Sequence, residues 1–171
     1  AYNAVVMFSF VAGGYGAYLL ARQVLGRGGS RLAAFAAGVV FAFSPFHFAH
    51  LLGHMQVISL EWIPFYALYL LRLTSPQPSA HGLVRKDVRL AAAFLVLVGL
   101  CDWYYMLYCA ILTVVMVAWA IWRTWRHDTK PGARIARLIG ATAMVWAIFG
   151  MVLSPLLIPI VREASRATFM V

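Results

Sequence analysis

Residues 1 to 21 contain no Asp, Glu, Lys or Arg, and residues 32 to 60 contain none either. A helix rises about 1.5 Å per residue, so about 20 uncharged apolar residues match the hydrocarbon core of a bilayer, about 30 Å thick. Further uncharged runs cover 62–71, 90–101, 103–122 and 138–161. The chain is 64% hydrophobic and 11% charged, with a mean hydropathy of +0.84. Soluble domains are about 45–50% apolar. The pattern therefore reads as a membrane protein.

Extended Val/Thr alternation of the kind a transmembrane barrel needs is missing, so the expected fold is an all-α, polytopic transmembrane helix bundle of about six membrane segments. Residues 1–171 read as a single transmembrane helical domain. The chain starts at Ala1 inside an apolar run with no basic n-region, which argues against a signal peptide and for a piece of a longer membrane protein.

The basic residues set the expected orientation. Arg22, Arg27, Arg31, Arg72, Arg85, Lys86, Arg89, Arg123, Arg126, Lys130, Arg134 and Arg137 fall in alternate links between apolar runs; of the 14 basic residues, only Arg162 and Arg166 lie elsewhere. The positive-inside rule makes those links cytoplasmic and both ends of the chain extracytoplasmic, with the histidine segment and "CDWYY" facing the periplasm or lumen and the cytoplasmic (inner) membrane as the expected location. The net charge of +9 is explained by these links, so no nucleic acid is expected as a partner. "TSPQPSAHGLVRKDVR" and "RTWRHDTKPGARIAR" read as polar loops, and Cys101 and Cys109 as buried thiols. Pro155 and Pro159 are expected to kink the last span or end it.

Chemistry concentrates on the opposite face. "SPFHFAHLLGHMQVISLEW", residues 44–62, carries His47, His50, His54 and Glu61. A continuous helix over 47–61 would place all four within about 60° of one another. Such a stripe could ligate a divalent metal such as zinc, donate hydrogen bonds to a phosphate or sugar oxygen, or merely cap and brace its neighbours. "HLLGH" lacks the glutamate of the helical zinc-protease motif. A helix from Glu61 to Arg72 would lift Glu61 about 16 Å above the cytoplasmic end, and an acid at that depth points to function.

A second outward hairpin turns at "CDWYYMLY". The stretch between Arg89 and Arg123 is too short for two full crossings of about 20 residues each, so Asp102 is expected in a depression, facing the same cavity as Glu61. Trp103, Tyr104, Tyr105 and Tyr108 beside it could stack on a sugar ring or form an interfacial belt. Arg162 and Arg166 could hold an anionic lipid phosphate.

The order "AYNAVVMFSFVAGGYGAYLLARQVLG", "RLAAFAAGVVFAFSPFHFAHLLGHMQVISLEWIPFYALYLLRL", "CDWYYMLY" resembles the GT-C superfamily of polytopic membrane glycosyltransferases and, more loosely, YfhO-like bacterial membrane proteins. The resemblance covers most of residues 1–125. It implies transfer of a sugar from a polyprenyl-phosphate donor at the outer membrane face. His50, His54, Glu61, Asp102, Trp103, Tyr104 and Tyr105 would then bind substrate. The catalytic acid of that superfamily sits in a first outer loop that this sequence does not show, so no general base is assigned, Asp102 being the alternative. A transporter or channel with a polar path through Glu61 and Asp102, or a noncatalytic scaffold contacting membrane lipids, are the competing readings.

Overall fold

The computed structural model describes residues 2–26, 28–50, 58–75, 81–128 and 131–167. Among these the regular structure is entirely helical: α1 (Tyr2–Leu25), α2 (Arg31–Ala42), α3 (Pro45–His50), α4 (Ile63–Thr74), α5 (His81–Cys101), α6 (Trp103–His127) and α7 (Pro131–Ala167). The expected all-α bundle is what forms. Four stretches among the described residues are long and apolar enough to cross a membrane: α1, α2 continued by α3, α6, and α7 as far as Glu163.

The boundaries follow local chemistry. Helix α1 stops before Gly26, whose φ of +72° supplies the left-handed residue that commonly ends helices. Ser30 caps α2, its hydroxyl accepting from the Ala33 amide at 3.2 Å. Pro64 sits in the first turn of α4 and Pro131 opens α7, positions where a missing N–H costs nothing. Asp102 is the single non-helical residue between α5 and α6.

Two loop expectations are corrected. Helix α5 begins at His81, not Leu90, because Arg85, Lys86 and Arg89 point outward while Asp87 and Val88 are buried. Helix α6 runs to His127 and α7 starts at Pro131, which leaves little of the second basic loop. Nor does α7 end at its prolines: it is continuous through Pro155 and Pro159 for 37 residues, about 55 Å. Pro155 cannot donate to the Met151 carbonyl, and Ser154 Oγ donates to that carbonyl instead, at 2.8 Å.

Helix α4 is the centre of the bundle, packed against α1, α5, α6 and α7, whereas α2 packs chiefly on α1. Only 12 residues long, α4 spans about 18 Å and cannot cross a bilayer core alone. Tyr66 and Leu70 from α4, Leu95 and Val98 from α5, and Phe149 and Leu153 from α7 form its buried surroundings. Phe94 of α5 stacks on Phe65 at 4.9 Å and on Tyr69 at 5.7 Å, with Trp62 at 6.0 Å. Helices α1 and α2 meet at glycines: a Cβ on Gly38 would lie 2.6 Å from the Gly14 carbonyl oxygen, the close approach that small residues permit between membrane helices.

Pairings along α4 define two ends. At one, Arg72 lies 3.9 Å from Asp87, while Arg123 and Arg134 donate to the carbonyls of Thr74 (3.0 Å) and Ser75 (3.2 Å). These arginines cap a helix C-terminus with charge of the favourable sign. At the other end lie α3, the Ser59–Trp62 stretch and the Asp102 turn.

Candidate functional site at the histidine end of the bundle

Glu61 sits in the turn just before α4 and is only 5% exposed. Ser9, from the first span, is 1% exposed; its hydroxyl lies 2.7 Å from Glu61 Oε2 and 2.8 Å from the Ile58 carbonyl oxygen. Chain polarity brings them together: α1 and α4 run in the same direction, with Gly16 against Phe65 and Gln23 hydrogen-bonded to Arg72 further along. The backbone at 59–62 is non-helical. The Ser9 hydroxyl meets the carbonyl of Ile58, just before this stretch, and the side chain of Glu61 within it.

Residues 47–61 are therefore not one continuous helix, because Ser59 to Glu61 lie outside any helix while His47 and His50 belong to α3. His47 is fully buried between the rings of Phe10 (4.8 Å) and Phe41 (5.8 Å). Its Nδ1 lies 3.2 Å from the Phe41 carbonyl oxygen and 3.3 Å from Ser44 Oγ. A carbonyl only accepts, so Nδ1 carries the hydrogen and the lone pair of the neutral ring is on Nε2. Nε2 is buried without a hydrogen-bond partner among the described residues, within the field of Glu61. His50 donates from Nδ1 to the Phe46 carbonyl at 2.8 Å and its ring lies tilted against the Phe46 ring, with centroids 4.3 Å apart. His54 lies outside the described residues. Among the described residues no three His, Cys, Asp or Glu side chains are placed to hold a metal ion.

Asp102 caps α6, accepting from the Tyr104 amide through Oδ1 at 2.7 Å. The arms of the hairpin it closes are 21 and 25 residues long, and Glu61 stands one 12-residue helix above the basic end. Tyr104 is 74% exposed and Trp103 half-exposed, but Tyr105 turns inward and is buried. Arg162 is exposed near the far end of α7, and Arg166 lies on the last turn of that helix.

Both acids act electrostatically on a residue that sequence reasoning left without a role. The Cys101 thiol interacts with Ser59 and Trp62 and lies in the field of both Glu61 and Asp102. Ser9 was also invisible in sequence, a lone hydroxyl within an uncharged run; only its small polar side chain between Phe8 and Phe10 hinted at a buried partner. The structure thus brings Ser9, Ser59, Glu61, Cys101 and Asp102 to one end, with His47 at the edge.

A family model described as a domain of unknown function (DUF6311) matches residues 2–157. No curated protein and no solved structure matches.

Proposed function

The chain belongs to the DUF6311 family, and we propose that it is the membrane core of a GT-C-like glycosyltransferase that takes a sugar from a polyprenyl-phosphate donor. The observation that carries this reading is that Glu61 and Asp102, from separate hairpins, lie at one end of the bundle, both within electrostatic reach of Cys101, with Trp103 and Tyr104 exposed next to Asp102. Acidic oxygens accept sugar hydroxyl protons and aromatic faces stack on the apolar side of a sugar ring. On the positive-inside rule the end bearing Arg72, Arg123 and Arg134 faces the cytoplasm, so the acidic end opens outward from the cytoplasmic membrane.

The roles divide by exposure. Asp102 commits Oδ1 to its cap, and its other oxygen meets the sugar. Trp103 and Tyr104 form the platform. Buried Glu61 and Tyr105 shape the floor of the site rather than its surface, with His50 on the rim. Arg162 and Arg166 receive the lipid phosphate. The general base is assigned to no residue of this chain.

The test is transfer of labelled sugar from polyprenyl phosphate in membranes containing the full protein. Asn is as good an N-cap as Asp, so Asp102→Asn keeps the turn and should lower transfer at least about tenfold, the scale of a lost charge-assisted contact. Unchanged transfer in that variant rejects the assignment. A second reading, a proton-coupled carrier, is favoured by buried Ser9, Glu61 and His47 Nε2 inside the bundle. Proton movement into vesicles holding the purified protein, without sugar transfer, would select it.

A further inference from the structure

Between α5 and α7, away from the acidic site, runs a groove of about 410 Å³ lined by Arg89, Ala93, Val96, Leu97, Ile148 and Val152. On α5 these residues follow the i, i+4, i+7, i+8 pattern of one helical face. All are apolar except Arg89, which stands at the mouth with its Nε donating to the Arg85 carbonyl at 3.3 Å. Both walls end on arginine. Arg85 and Val96 stand at i, i+11 on α5, as do Arg137 and Ile148 on α7. That spacing turns a helix through about three revolutions and about 20°, so each arginine shares the stripe of its wall.

The levels agree as well. Helices α5 and α7 run the same way, with Gly99 against Phe149 and Leu153. Stepping back equally along both from that contact puts Arg89 opposite 139–143, about one turn above Arg137. The nearby acid, Asp87, is buried and faces Arg72 on the other side of α5, so it does not neutralise the mouth. Gly140 leaves open space beside α7 just above Arg137.

We propose that this groove is a binding site for an anionic phospholipid, its phosphate on Arg89, Arg85 and Arg137 and one acyl chain along Ala93, Val96, Leu97, Ile148 and Val152. Charge complementarity selects the occupant: an apolar slot facing lipid and closed at the interface by three guanidinium groups fits an amphiphile with a negative head. A purely apolar chain would leave the arginines unused, and a free anion would leave the slot unused.

The experiment measures binding of phosphatidylglycerol and of phosphatidylcholine with identical chains to the purified full chain in detergent, by lipid adducts in native mass spectrometry. Phosphatidylglycerol should be preferred. Each of Arg89→Gln and Arg137→Gln should lower that preference about fivefold, as expected for one basic residue at a membrane surface. Ala93→Leu, which fills the slot, should weaken both lipids. Arg31→Gln, on α2 and away from the groove, should leave the preference as it is. Equal binding of the two lipids, an unchanged preference in the Arg89→Gln/Arg137→Gln double variant, undiminished binding in Ala93→Leu, or displacement of the lipid by inorganic phosphate would each overturn the proposal.

Discussion

Replacing Ser9 by Ala removes one oxygen from the most enclosed polar contact at the histidine end, and the cost can be worked from the geometry. The single hydroxyl hydrogen is shared between two acceptors, Ile58 O at 2.8 Å and Glu61 Oε2 at 2.7 Å. The Ile58 carbonyl keeps a second donor, the Leu60 amide at 2.7 Å, so its loss is small. Glu61 Oε2 loses its Ser9 partner while the residue stays only 5% exposed. Stranding a buried acceptor costs about 1–3 kcal/mol, with carboxylates toward the upper end. A chain of this size loses about 2–4 °C of melting temperature per kcal/mol. The expected drop is therefore about 4–8 °C for a cost of about 2 kcal/mol. Glu61→Gln keeps an oxygen that accepts from Ser9 and should stay within about 1 kcal/mol of the parent. The assay is heating in detergent with a thiol-reactive fluorophore, for which buried Cys109 is the natural reporter. Ser9→Ala melting with the parent, or Glu61→Gln melting as early as Ser9→Ala, would refute the reasoning.

Two further outcomes follow from the helix contacts and the basic end. Gly38→Ala places a Cβ 2.6 Å from a backbone oxygen that cannot swing away, whereas Gly140→Ala meets nothing within 4 Å. The first should destabilise by about 1–3 kcal/mol and the second should stabilise by up to about 1 kcal/mol, a contrast the same melting assay reads directly. Burial pushes the Asp87 carboxyl above its ordinary value of 3.8, opposed by the Arg72 and Lys86 charges. The folded state then holds this proton more tightly than the unfolded chain. Stability from this group is highest below 3.8 and falls as pH rises through the raised value. Asp87→Asn should remove that decline from a melting-temperature profile, and an identical profile would reject the assignment.

The helical class and the turn at Asp102 were legible because they rest on local patterns: long uncharged runs, and a lone acid between two apolar runs that both end on basic links. The start of α5 was not, because a Pro/Ser-rich stretch beside four charges reads as a loop. The charges are tolerated in a helix only because three face outward and Asp87 finds Arg72 on α4, a contact no local pattern reports. The histidine stripe failed for a similar reason. Its four positions align only if the helix continues to 61, and the chain is non-helical at 59–62, where Glu61 meets Ser9 of the first span, a partner remote in sequence. Pro155 misled in the other direction: the neighbouring Ser154 hydroxyl takes over the hydrogen bond that proline cannot make.

Helix α4 is fastened differently at its two ends, to α1 through Ser9 and Glu61 above and to α6 and α7 through arginines below. The α1–α2 pair packs on the remaining helices chiefly along this one short rod. The Ser9–Glu61 hydrogen bond thus joins the two packing units of the chain at the end where Asp102 also lies, so one buried side chain belongs at once to the seam between them and to the acidic mouth.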